Sequence, residues 1–146
     1  MAHIKQLDHV GITVTELDAA TAFFVDLGLE IEGRTFLEGE FVDAVIGIPD
    51  ARTEIVVLRP PGGGTGVELA TFIRPEHTPG SPDAMANELG LRSICFVVED
   101  LHGAVDGMAA KGYGLVGEIG DYENTWLMAQ LRGPDGIVVS LTERIG

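Results

Sequence analysis

The feature that most narrows what this chain can fold into is a match of the sequence with itself. Leu7–Leu17 (LDHVGITVTEL) lies over Leu91–Leu101 (LRSICFVVEDL) without a gap, 84 positions further on. Each copy opens with a strand pattern. In the first, His9, Gly11 and Thr13 fall on one side and Val10, Ile12 and Val14 on the other, a period of two that gives a strand one apolar face. Each copy then changes to helical spacing. Leu17, Ala20, Phe24 and Leu27 recur on one stripe until Gly28 ends it, and Ala104, Val105, Met108 and Ala109 do the same until Gly112.

The residues that follow each helix predict further strands. In the first half these are a short run at Leu29–Gly33, then Thr35–Glu40, Glu54–Leu58 and Gly66–Ile73. The stretch FVDAVIGIPDA between them reads as a one- or two-turn helix or a structured loop, and PPGGGTG as a turn. In the second half the strands are Tyr113–Gly117, Thr125–Arg132 and Ile137–Thr142, the last two separated by the turn Gly133–Gly136. Between the halves, RPEHTPGSPDAMANELG is rich in proline and glycine and reads as a linker. The expected organisation is a first βαβββ module at 1–74, a linker at 75–90 and a second module at 91–146, an internal duplication of α+β class. Two four-stranded sheets of this kind can pair into a curved eight-stranded mixed sheet around a central cleft.

Composition excludes several classes of function. A net charge of −14 in 146 residues argues against nucleic acid or an anionic membrane as partner, since both call for a basic footprint. The arginines 52, 59, 74 and 92 could still gather into a local basic patch. No run approaches the ~18 apolar residues of a membrane span. The start MAHIKQLD lacks the pattern of a signal peptide. The single cysteine, Cys95, excludes a disulfide framework within the chain. A cytoplasmic protein acting on a small molecule is expected.

The duplication also aligns candidate site residues. His9 corresponds to Ser93, and Glu68 in Val67–Leu69 corresponds to Ser140 in Val139–Leu141. If the cleft is lined by the strand faces away from the helices, these four side chains project into it. Imidazole and carboxylate are good ligands for zinc, nickel, manganese or iron, whereas a serine hydroxyl is a poor one. A carboxylate between Val67 and Leu69 is costly to bury unpaired, and an ion pair or hydrogen bond with His9 would satisfy both groups without a metal. The same pair could work as general base (Glu68) and orienter or acid (His9). Tyr122 and Trp126 could wall an apolar pocket. His77 and His102 read as solvated, and Cys95 as a small buried residue.

The first copy with its helix (LDHVGITVTELDAATAFFVDLGLE), VELATF, the second copy and GPDGIVVSL together resemble the vicinal oxygen chelate superfamily. That superfamily includes glyoxalase I, methylmalonyl-CoA epimerase, extradiol dioxygenases and the bleomycin and fosfomycin resistance proteins. The resemblance covers nearly the whole chain. It implies paired βαβββ modules, often completed by dimerisation, so a homodimer is expected. It places His9 and Glu68 where the first- and fourth-strand metal ligands stand, while Ser93 and Ser140 stand where a histidine and a glutamate are usual. A divalent metal is therefore expected to be held weakly or not at all. Catalysis is assigned to Glu68 and His9, and ligand binding to Ser93, Ser140, Tyr122 and Trp126. The implied activity is that of an isomerase or lyase removing a proton beside a carbonyl or thioester. The alternative is a metal-independent binding protein of the bleomycin-resistance type. An extradiol dioxygenase is disfavoured because Ser93 replaces its second histidine.

Overall fold

The computed structural model describes Ala2–Gly146. The chain forms two compact units, one ending at Pro79 and the other spanning Gly80–Gly146. The division falls inside the stretch read as linker.

In the first unit β1 (His9–Thr13) leads into α1 (Leu17–Leu27), followed by β2 (Glu30–Glu38), α2 (Glu40–Ile46), β3 (Arg52–Arg59) and β4 (Gly66–Arg74). The strand order is β1-β4-β3-β2, with β1 parallel to β4 and the other pairs antiparallel. The register explains which side chains go inside. Val10 and Ile12 lie opposite Val67 and Leu69, which in turn lie opposite Leu58 and Val56. Facing residues share a side of a sheet, so these six make one apolar face, against which α1 packs Leu17, Ala20, Phe23 and Phe24. Phe23 and Phe24 meet edge to face at 5.1 Å. Each such side chain, fully removed from water, contributes roughly 1.5–3 kcal/mol before chain entropy is subtracted. Gly28 stops the helix in a left-handed conformation, with the Gly28 and Leu29 amides donating to the Val25 and Phe24 carbonyls.

The two strands expected at Leu29–Gly33 and Thr35–Glu40 are one strand, β2, with an irregularity between Ile31 and Gly33 that absorbs the break in alternation. FVDAVIGIPDA does contain a short helix, α2, ended by Gly47.

The second unit repeats the plan: β5 (Ile94–Val97), α3 (Leu101–Ala109), β6 (Gly120–Tyr122), β7 (Trp126–Arg132) and β8 (Val138–Arg144), in the order β5-β8-β7-β6. The duplication is thus present in the hydrogen-bond ladders as well as in the letters. Gly11 faces Glu68 in the first sheet, and their counterparts Cys95 and Ser140 face each other in the second. The Asp100 carboxylate caps α3 through the Gly103 amide, and Glu143 Oε1 accepts from the Leu101 amide at 2.7 Å.

Two expected strands move. The first strand of this half was expected from Leu91, yet β5 begins at Ile94, because the parallel ladder with β8 starts only at the Ile94–Val139 pair. Tyr113–Gly117 is not a strand. Glycines at 114 and 117 weaken it, and it touches β7 only through a bridge at Leu115–Leu131 and two flanking backbone bonds. The edge of the sheet is β6 instead. A tight turn joins it to β7, with Glu123 and Asn124 both at positive φ (51° and 56°) and the Thr125 amide donating to the Tyr122 carbonyl. This is the type I′ geometry that suits a twisted hairpin.

Candidate functional site

In the first sheet the face turned away from α1 carries His9, Gly11 and Thr13 from β1, Glu68, Ala70 and Phe72 from β4, and Thr53, Ile55 and Val57 from β3. The strand alternation of the sequence therefore puts His9 and Glu68 on one face. Gly11, which stands opposite Glu68, has no side chain to separate them. The His9 Nε2 lies 3.3 Å from Glu68 Oε2.

The other ring nitrogen is engaged too. Asp8 Oδ2 lies 2.7 Å from His9 Nδ1. Asp8 is in turn held by Arg59, which donates to its backbone carbonyl at 3.0 Å and approaches both carboxylate oxygens at 3.4 Å, while Arg59 Nε donates to Glu32 at 2.6 Å. The hydrogen bond from His9, together with the Arg59 charge, holds the Asp8 carboxyl below its usual range. With Asp8 at Nδ1, Nε2 is the nitrogen that faces Glu68. Sequence reasoning found His9 and Glu68 but missed Asp8 and Arg59. Asp8 precedes the first paired residue of β1, so strand alternation says nothing of its direction.

In the second sheet, the face turned away from α3 carries Cys95 and Val97, Ser140 and Thr142, Trp126, Met128 and Gln130, and Tyr122. Three of the four expected ligand-binding residues thus share a face. Tyr122 and Trp126 stand directly opposite each other at the end of the β6–β7 hairpin, and the Arg144 guanidinium lies 5.7 Å from the Trp126 ring centre. Ser140 is buried, and its hydroxyl accepts from Gln130 Nε2 at 3.0 Å. Gln130, its cross-strand neighbour, was not foreseen. Ser93 is exposed and precedes β5 rather than lying in it.

Other expectations are corrected. Cys95 is exposed rather than buried, because β5 is an edge strand and Cys95 points to its uncovered side. His77 is not solvated. Its Nε2 accepts from the Phe72 amide at 3.0 Å, taking a strand donor that lies beyond the end of β1. His102 is exposed on α3, as read. The four arginines form no basic patch. Arg52 and Arg74 share Glu38, Arg59 holds Glu32 and Asp8, and Arg92 holds Glu88.

The divalent ion implied by the resemblance can be tested against this donor set. With Asp8 on Nδ1, His9 could turn only Nε2 to an ion, and on this sheet face Glu68 is the one carboxylate beside it, so the pair offers two ligands at most. The Ser140 hydroxyl is occupied by Gln130. Among the described residues, no group of three or more His, Cys, Asp or Glu side chains gathers that could hold a metal. Structural and catalytic sites of the usual kind take three or four protein ligands. The residues present do not fit a tightly held ion.

The sequence from residue 6 to residue 141 matches the family model of the Glyoxalase/Bleomycin resistance protein/Dioxygenase superfamily. The chain belongs to that superfamily. No curated protein matches the sequence. Among solved structures, a glyoxalase family protein from Bacillus cereus is 35% identical over 99% of this chain and 97% of its own, with a TM-score of 0.95. A glyoxylase/bleomycin resistance protein/dioxygenase domain from Frankia sp. EAN1pec is 16% identical over 97% and 93%, with a TM-score of 0.69. TnmS3, an antibiotic binding protein from Streptomyces sp. CB03234, is 15% identical over 99% of both chains, with a TM-score of 0.63. The last two likenesses show the fold, and the superfamily's paired βαβββ plan is the one described above.

Proposed function

We propose that this member of the superfamily binds a small organic molecule without a resident metal, using the sheet faces turned away from α1 and α3. The observation that carries this reading is the Asp8–His9–Glu68 arrangement. Imidazole and carboxylates satisfy one another there, so His9 and Glu68 have partners that do not depend on an ion. The second face supports the same reading. It carries Tyr122 and Trp126 as an aromatic pair at one end and, beyond Met128 on the same face, Ser140 and Gln130 as a polar pair. The fold is shared with an antibiotic binding protein, so a role in ligand binding is within its known range.

The test is a fragment screen by protein-observed NMR on chelator-treated protein. Saturable shifts in residues of these two faces, unchanged by added zinc or nickel, are expected. Shifts that arise only when metal is added would overturn the reading.

A second reading rests on the 3.3 Å His9–Glu68 contact. Glu68 would take a proton beside a carbonyl or thioester, and His9 would return it. Solvent deuterium incorporated into a carbonyl substrate, and lost in Glu68→Gln, would favour this isomerase or lyase over simple binding.

A further inference from the structure

The register of the second sheet sets three side chains in one cross-strand row at its hairpin end. Tyr122 on β6 lies opposite Trp126 on β7, and Trp126 lies opposite Arg144 on β8. Facing residues share a side of a sheet, so all three stand on the face turned away from α3. The row is open: Tyr122 is 63% exposed, Trp126 is half-buried and Arg144 is exposed. Arg144 differs from the other arginines of the chain. Arg34, Arg52, Arg59, Arg74 and Arg92 each hold a carboxylate, and Arg132 donates through Nη1 and Nη2 to the carbonyls of Pro82, Gly136 and Ala84. Arg144 donates only through Nε, to the Gly146 carbonyl at 2.9 Å, and among the described residues its Nη1 and Nη2 meet no acceptor. A guanidinium keeps its charge in proteins. A fork of donors therefore stands free beside two aromatic rings in a chain of net charge −14. The duplication shows that the fold itself does not demand this row. Gln130–Ser140 corresponds to Val57–Glu68, so four residues along each strand the counterpart of Trp126–Arg144 is Thr53–Phe72, with Leu37 opposite Thr53. The first sheet fills the same positions without a cation.

We propose that this row binds an aromatic carboxylate, whose ring lies against Tyr122 and Trp126 and whose carboxylate accepts from Arg144 Nη1 and Nη2. This rests on the binding reading above and names the ligand class of its second face. The fork of a guanidinium matches the two oxygens of a carboxylate, and such pairs are stronger than neutral hydrogen bonds. The Trp126 ring, 5.7 Å from the guanidinium, keeps it beside the aromatic pair. Offset stacking on the rings adds an attraction that an aliphatic acid does not gain. Cross-strand neighbours stand about 4.5–5.5 Å apart, so one small ligand reaches across the row. No enclosing cavity is needed, because stacking and a forked ion pair both operate on an open face, where the ion pair weakens as salt is raised. Arg144 then selects the acid, and Tyr122 and Trp126 select the ring.

The chain has one tryptophan, so the Trp126 indole N–H gives a single reporter signal. The experiment titrates the chelator-treated full chain with phenylacetate, phenylacetamide and cyclohexylacetate in turn, following that signal and the backbone amides by NMR. Phenylacetate should shift the indole and the Tyr122 and Arg144 amides saturably. Phenylacetamide, which lacks the charge, should bind about tenfold or more weakly, and cyclohexylacetate, which lacks the ring, about threefold or more weakly. Arg144→Gln should lower the affinity for phenylacetate about tenfold or more while the spectrum stays that of the folded protein. Tyr122→Leu should lower it about threefold and leave cyclohexylacetate unaffected. Equal binding of either analogue, full affinity in Arg144→Gln, or no saturable shift of the indole by phenylacetate would each overturn the aromatic-acid row. Neutral fragments that bind elsewhere on the two faces would still leave the binding reading standing, so the two failures are distinguishable.

Discussion

Gly11 and Gly66 both belong to the face that carries His9 and Glu68, yet the structure makes opposite demands on them. A Cβ on Gly66 would lie 2.6 Å from the Leu58 carbonyl oxygen, 3.1 Å from an Arg59 nitrogen and 3.2 Å from Arg59 Cγ. The first contact is with backbone and is relieved only by moving β3 from β4. Overpacking of this kind costs about 1–3 kcal/mol. The strain would also reach the site, because the Gly66 amide donates to the Asp8 carbonyl at 2.9 Å. A Cβ on Gly11 meets nothing, and alanine there restricts the unfolded chain, which stabilises by about 0.4–1 kcal/mol. The two alanine variants should therefore differ by roughly 1.5–4 kcal/mol. At about 4–8 °C per kcal/mol for a unit of this size, thermal melts followed by circular dichroism should separate them by well over 5 °C, with wild type between. Urea midpoints at constant slope would confirm that stability has changed and not compactness. Equal melting temperatures would refute both the tight contact at Gly66 and the empty space over Gly11.

Two further outcomes follow from local geometry. The Asp8 carboxyl is held below its ordinary pKa of 3.8 in the folded state, so its contribution is complete above that value and is lost as the pH falls through the lower folded value. Asp8→Asn should lower stability slightly near neutrality, where the contribution is complete, and flatten the acid limb of the stability–pH curve so that the two proteins converge at low pH; an identical acid limb in both proteins would count against the Asp8–His9 bond. In the β6–β7 turn, Glu123→Gly removes a side chain from a left-handed conformation and should raise the unfolding free energy by about 0.5 kcal/mol, while any loss of stability would argue against the type I′ turn.

Much of this was legible in the sequence because the duplication gives two readings of one plan. The strand and helix periods of Leu7–Gly28 placed Val10 and Ile12 under α1 and His9 opposite them, the offset to Leu91 aligned His9 with Ser93, and the last strands of the two halves aligned Glu68 with Ser140. Where the reading failed, a local cause outweighed periodicity. Tyr113–Gly117 has strand-like residues but glycines at two of its positions, and β6 formed where a hairpin turn set the register. Ser93 lost its strand because the parallel ladder begins one residue later. Asp8, Arg59 and Gln130 were invisible for a different reason. They act through side chains that meet across strands or beyond a strand end, and a polar residue in a strand pattern carries no mark of its partner. His77 is a similar case, an imidazole in a proline-rich stretch that accepts a strand amide five residues back in the chain.

The central claim is that His9 and Glu68 are partners of each other and not of a resident ion. Metal content by mass spectrometry on protein purified without added metal, followed by thermal melts with added zinc, nickel, manganese or ferrous iron, tests it directly. The account predicts substoichiometric metal and no more than a small rise in melting temperature with any of these ions. One tightly held equivalent per chain, lost in His9→Ala and in Glu68→Gln, would contradict it.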